Sequence, residues 1–175
     1  HELATSTLAV RVAASTRADL YDALLAGLGT LAGPLHGSAS RLVLDLLVRA
    51  GSDGAGAALD DALRWQGLVP GFGHGAYPQG DPRCEALLDP VLALADDSAR
   101  ATVEQVVQLA RDADLPAPNI DLAMGALAYC ADMPAEVLPL VFAVSRCSGW
   151  VAHYLEELDE TPLRFRARAV HVTSR

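Results

Sequence analysis

Apolar residues recur three and four positions apart along most of the chain, the spacing of helices that bury one face. Leu3, Leu8, Val10 and Val12 sit among small residues and predict a first helix over 3–14. Leu20, Leu24, Leu25, Leu28 and Leu31 predict a second that ends at Gly33-Pro34. A third starts from a Ser38 or Ser40 cap and runs through Leu42, Leu46 and Leu47 to Gly51. Residues 51–58 are rich in Gly, Ala and Ser and read as a loop, with a short helix over 60–68. Asp81 caps the next helix with Pro82 at its first position, and Pro90 lies inside it as a point where it can kink. The pattern Val103, Val106, Val107 and Leu109 makes 98–110 amphipathic, and Leu115-Pro116-Ala117-Pro118 is a rigid connector. Two more helices follow over 119–131 and 134–158, the latter mostly buried, and the tail over 162–172 is extended at best. No internal repeat is visible. The pattern predicts an all-α protein of helices packed on helices.

One segment breaks the rhythm. Residues 69–80, Val-Pro-Gly-Phe-Gly-His-Gly-Ala-Tyr-Pro-Gln-Gly, carry too much Gly and Pro for a helix. Few loops need that much backbone freedom, and loops on rigid scaffolds are where chemistry concentrates.

Composition supports the all-α reading. Half of the 175 residues are hydrophobic and only 5% aromatic, so the apolar load is Ala, Leu and Val rather than the residues a sheet sandwich favours. The net charge is −9 and every basic group is an arginine. Such a surface is poorly suited to nucleic acid, whereas the planar guanidinium suits carboxylates. Cys84, Cys130 and Cys147 form neither a disulfide framework nor a zinc pattern, which points to a reducing cytoplasm. No apolar run is long enough for a membrane span. The chain opens on His1 without an initiator Met, which reads as a fragment or a processed chain.

Candidate chemistry sits at three turns. His36 lies in Gly33-Pro34-Leu35-His36-Gly37, held between a Gly-Pro turn and a helix start; it reads either as a surface-loop histidine or as one facing a cleft. His74 is flanked by Gly73 and Gly75, which let a substrate approach the backbone beside a group that exchanges protons near neutral pH. Asn119 and Asp121 follow Pro118; they read as an ordinary N-cap and first-turn acid, or as a placed base. Arg83 stands in a first helical turn, where the dipole disfavours a cation, and Arg146 lies in an apolar helix where it needs a partner or a cavity. Arg166 and Arg168 belong to a basic end with Arg164 and Arg175. The five histidines include no i, i+4 pair, so no metal site is expected, and the Gly-x-Ser-x-Gly elbow of serine hydrolases is missing.

Taken in order, these stretches resemble the citrate synthase family. His1-Glu2-Leu3-Ala4-Thr5-Ser6-Thr7 is similar to the family's His-Glu-x-Asn-x-Ser-Thr segment, and Gly33 to Gly37 to its Gly-Pro-Leu-His-Gly motif. Gly71 to Tyr77 with Asp81-Pro82-Arg83 resembles the Gly-Phe-Gly-His-x-x-Tyr loop and the Asp-Pro-Arg that follows it. Pro118 to Asp121 resembles Pro-Asn-Val-Asp, 142–153 the last core helix, and Arg166 to Val172 the terminal Arg-Pro-Arg segment. The chain departs at Ala4 for Asn, at Ser38 and Ser40 for Gly and Asn, and at Gly75 for a bulkier residue, often Arg.

The resemblance implies a citrate synthase-like multi-helical fold. It places 1–36 and 132–175 in a large domain and 37–131 in a small domain that closes over the substrates. It implies condensation of acetyl-CoA with oxaloacetate to citrate and CoA, with no cofactor beyond acetyl-CoA as substrate. Asp121 would be the base, His36 would stabilise the enolate oxygen, and His74 would polarise the keto oxygen. His1, Arg83, Arg146 and Arg166 would hold the oxaloacetate carboxylates, Arg166 from the other subunit of a homodimer. Val69, Pro70, Gly71, Gly73 and Asn119 would line the CoA site. Three alternatives stand beside this one: a 2-methylcitrate synthase acting on propionyl-CoA, a non-catalytic ligand-binding or regulatory domain, and one half of a split enzyme pairing with a separate N-terminal portion.

Overall fold

The computed structural model describes residues 3–33, 36–37 and 39–167. Among them are eight α-helices and no strand; the chain is all-α, and the only β-type pairing is an isolated bridge between Phe72 and Pro118. The helices are α1 (Thr5–Ser15), α2 (Leu20–Leu31), α3 (Ala39–Asp53), α4 (Ala55–Gln66), α5 (Pro82–Leu94), α6 (Asp97–Asp112), α7 (Ile120–Cys130) and α8 (Val137–Leu158).

The chain forms two compact units. One comprises Ala32–Phe142, the other Leu3–Leu31 with the segment from Ala143 onward. In the first, Val43, Leu46 and Leu47 of α3, Leu59 of α4, Val91 of α5, Val103 and Val106 of α6 and Leu122 of α7 share one core. Helix α3 comes very close to α7, because a β-carbon at Gly125 of α7 would collide with Val43 of α3. In the second unit α1 packs on α2 and the buried Trp150; at Gly27 an added β-carbon would lie 2.7 Å from Val10 and 3.1 Å from the Trp150 ring. There Arg11 and Arg164 both reach the buried carboxylate of Glu157, at 2.7 and 2.6 Å. Burial by itself would raise the Glu157 carboxyl, but the Arg164 hydrogen bonds, with help from Arg11, hold it below the ordinary range.

Several expectations need correction. Residues 51–58 are not a loop: α3 continues to Asp53 and α4 starts at Ala55, leaving only Gly54 between them. Gly54 turns the chain at φ +94°, and Ala55, Ala58 and Leu59 face the core, so the small residues serve close packing. Ser40 is not a cap but lies inside α3, buried, with its hydroxyl directed elsewhere; Ser38 lies outside the described residues. Helix α8 is less buried than its composition predicts, exposing Leu140, Val144 and Leu155. The tail is not extended at its start: 162–165 form turns, with Leu163 at φ +58° and its N–H bonded to the Ser15 carbonyl. Residues beyond 167 lie outside the described part. Pro90 sits within α5, which continues through it.

Candidate active site

The Gly-rich segment is fixed from one side by the connector before α7. Gly73 N–H donates to the Ala117 carbonyl (2.8 Å), and Asn119 N–H donates to the Gly71 carbonyl (2.9 Å). Asn119 Nδ2 donates to the Gly73 carbonyl (2.7 Å), while Asn119 Oδ1 caps α7 by accepting from Asp121 N–H (2.9 Å). One side chain thus ties the loop to the helix that carries Asp121. Gly71, at φ +87°, lets the loop lie against Val43 and Leu122; a β-carbon there would stand 2.9 Å from Val43. Val69 and Pro70 are buried beneath it.

Asp81 is the second tie. Its fully buried carboxylate accepts from Arg83 N–H (3.0 Å), Arg83 Nε (2.9 Å), Arg83 Nη2 (2.8 Å) and Ile120 N–H (2.9 Å). It therefore joins the first turns of α5 and α7 and aims the guanidinium. Burial would push the Asp81 carboxyl up, but the Arg83 side chain and the N–H groups of Arg83 and Ile120 together hold it below its ordinary value of 3.8. The hydrogen bond to Asp81 strengthens the charge on Arg83 in return, with smaller support from Asp121. This carboxylate resolves the oddity of a cation in a first helical turn.

His74 completes the cluster. Ala76 N–H points at His74 Nδ1 (3.1 Å) and an Arg83 N–H at Nε2; both neighbours can only donate, so these contacts do not select one ring tautomer. Nε2 lies 3.2 Å from Arg83 Nη2. An imidazole nitrogen and a guanidinium nitrogen therefore stand together at the loop, a pair that suits a substrate bearing acceptor oxygens. Tyr77 buttresses both: its ring centroid is 5.0 Å from that of His74, and the Arg83 guanidinium carbon lies 5.2 Å from its centre. Asp121, half-buried, accepts a hydrogen bond from Ser40 Oγ at 2.6 Å.

The structure thus brings together His74, Arg83, Asn119, Asp121 and the backbone of 69–73. His36 is half-buried on the turn that leads into α3, with its N–H on the Gly33 carbonyl (3.0 Å). Arg146, half-buried in α8, and the exposed Arg166 belong to the other unit, and His1 lies outside the described residues. Ser40 and Asp81 were not among the expected site residues. The mismatch of Arg83 with the helix dipole could have flagged Asp81; nothing local flagged Ser40. Among the described residues no three His, Cys, Asp or Glu side chains group to hold a metal ion, and no helix is long and apolar enough to cross a membrane. Burial pushes the Cys84 thiol behind the site up to about 11, so it stays protonated and inert near neutral pH.

Fold and site together define an all-α protein in which a glycine-rich loop and two helix N-termini gather an imidazole, a guanidinium and a carboxylate. Residues 1–168 match the family described as "Citrate synthase, C-terminal domain". "Citrate synthase 2" of Bacillus subtilis is 33% identical over 177 residues, covering 97% of this chain and 46% of that protein. "2-methylcitrate synthase 2" of Corynebacterium glutamicum is 30% identical over 168 residues, covering 93% and 44%. Among solved structures, a citrate synthase from Thermoplasma acidophilum, in a ternary complex with carboxymethyl coenzyme A and oxaloacetate, superposes with a TM-score of 0.84. It is 27% identical and covers 100% of this chain and 49% of that one. A citryl-CoA lyase from Hydrogenobacter thermophilus gives 0.81 at 27% identity, covering 100% and 72%. The chain belongs to the citrate synthase family. It spans less than half the length of these curated relatives.

Proposed function

We propose that the protein carries out a citrate synthase-type condensation of an acyl-CoA, in the first instance acetyl-CoA, with oxaloacetate, giving citrate and CoA. The observation that carries this reading is the pairing of His74 Nε2 with Arg83 Nη2, 3.2 Å apart, beside the loop that Asn119 ties to Asp121. A 2-keto dicarboxylate matches that pair: a keto oxygen to accept from the imidazole and a carboxylate to accept from the guanidinium.

In this reading the Asp121 carboxylate takes a proton from the methyl group of the thioester while His36 donates to the thioester oxygen, where negative charge develops. The methyl carbon then attacks the keto carbon of oxaloacetate. His74 Nε2–H polarises the keto oxygen and gives it a proton as the alkoxide forms. Water hydrolyses the resulting citryl thioester to citrate and CoA. Arg83 holds one oxaloacetate carboxylate, and the resemblance assigns His1, Arg146 and Arg166 to the same substrate. Val69, Pro70, Gly71, Gly73 and Asn119 supply the surface along which CoA lies. In this reading 37–131 form the small domain, and a homodimer or a separate N-terminal portion is the partner it expects.

The test is CoA release, followed with a thiol reagent, from the purified protein with oxaloacetate and either acetyl-CoA or propionyl-CoA. Release that requires oxaloacetate and falls at least about a hundredfold in Asp121→Ala is expected, the scale of a lost general base. Preference for propionyl-CoA would assign the 2-methylcitrate reaction, which the likeness to the Corynebacterium protein favours. No release from a folded protein that still binds oxaloacetate would overturn catalysis in favour of a binding domain. The likeness to the citryl-CoA lyase favours a second reading, cleavage of citryl-CoA by the same groups in reverse. Offering that thioester and following oxaloacetate tests it.

A further inference from the structure

Ser40 is 2% exposed in the first turn of α3, and its Oγ lies 2.6 Å from Asp121 Oδ1. An ionised carboxylate can only accept, so the hydroxyl donates, and the distance is that of a charge-assisted bond. A serine inside a helix commonly satisfies its hydroxyl on a carbonyl of its own preceding turn. Ser40 instead crosses to α7, and the contact exists because Gly125 lets α3 and α7 come together. Asp121 is thereby held at two points: its N–H on Asn119 Oδ1, its Oδ1 on Ser40. A half-buried carboxylate fixed through one oxygen has lost its rotation about χ2, so the other oxygen keeps one direction.

We propose that Ser40 is a positioning residue for the reaction: its hydroxyl fixes Asp121 Oδ1 and leaves Oδ2 aimed to take the methyl proton of the acyl thioester. The proton passes from the methyl carbon to Oδ2, its bonding pair becomes the enolate, and Ser40 keeps its own proton throughout. This inference rests on the condensation proposed above. Without the hydroxyl the carboxylate swings, and a misplaced base slows proton removal more than it weakens substrate binding.

The experiment is steady-state turnover of the unsubstituted protein and of Ser40→Ala and Ser40→Thr, each with acetyl-CoA carrying an ordinary or a fully deuterated methyl group. In Ser40→Ala kcat should fall by on the order of tenfold to a hundredfold with both KM values within about twofold. The deuterium isotope effect on kcat should rise, because proton removal becomes the slower step. Ser40→Thr, which keeps a hydroxyl, should restore most of the rate and return the isotope effect toward its original value. If Ser40→Ala fails to fold, Ser40→Cys, close in size and a weak donor, carries the same expected changes. A Ser40→Ala protein that turns over normally, or that slows with higher KM and an unchanged isotope effect, overturns the role while the condensation stands. An unsubstituted protein that releases no CoA overturns both.

Discussion

Removing the Asp81 carboxylate would leave the Arg83 guanidinium without its fork and weaken a side-chain tie from the start of α5 to the N-terminus of α7. An Asp81→Asn variant keeps an acceptor but loses the charge and can satisfy fewer of those N–H groups. It should be less stable at pH 7 by about 1–3 kcal/mol, the cost of stranding buried hydrogen-bonding partners. The pH dependence has a definite sign. The Asp81 carboxyl is held below 3.8 in the folded state, so its stabilisation is present above that value and lost as pH falls through the folded value. Urea unfolding of the two proteins should therefore differ most at neutral pH and converge as the pH drops below 3.8. A constant gap across that range would contradict the assignment. The same substitution should raise the KM for oxaloacetate, because Arg83 is no longer aimed.

At the scale of elements, the site depends on how closely α3 approaches α7. Gly125→Ala forces a β-carbon into Val43 and toward the Leu44 backbone N–H, 3.2 Å away. Overpacking of this kind costs about 1–3 kcal/mol. It should also lengthen the Ser40–Asp121 contact, so activity should fall together with stability. Adding Val43→Ala removes the γ-carbon contact but leaves the Val43 β-carbon 2.6 Å from the new methyl, so the double variant should recover little of either loss; thermal unfolding and turnover of the four proteins of that cycle measure the coupling. Much of this level could be read from residue type alone. Asp81 with Pro82, and Asn119 at the start of α7, are start signals whose chemistry is local, and both caps form as expected. The stretch over 51–58 misled because Gly and Ala serve loops and close helix packing alike. Ser40 was invisible because its partner lies 81 residues away, and no local rule links a first-turn serine to a distant carboxylate. Likewise, residue types place His74 and Arg83 on neighbouring turns but do not bring Nε2 and Nη2 to 3.2 Å.

At the scale of the whole chain, membership in the citrate synthase family and the all-α fold rest on coverage of nearly the full sequence. The two compact units divide the arginines. Arg83 belongs to the unit that carries His74 and Asp121, while Arg146 and Arg166 belong to the one in which Arg11 and Arg164 clasp Glu157. The central claim is that the carboxylate and imidazole gathered in the first unit make a carbon–carbon bond. It is tested most directly by mixing the protein with oxaloacetate and acetyl-CoA bearing a fully deuterated methyl group, then weighing the products. Removal of one methyl proton and attack by the same carbon predict citrate that retains two of the three deuterons, with one CoA released per citrate, and none of this with Asp121→Ala. Thiol release without citrate, or citrate formed undiminished by Asp121→Ala, would contradict the account.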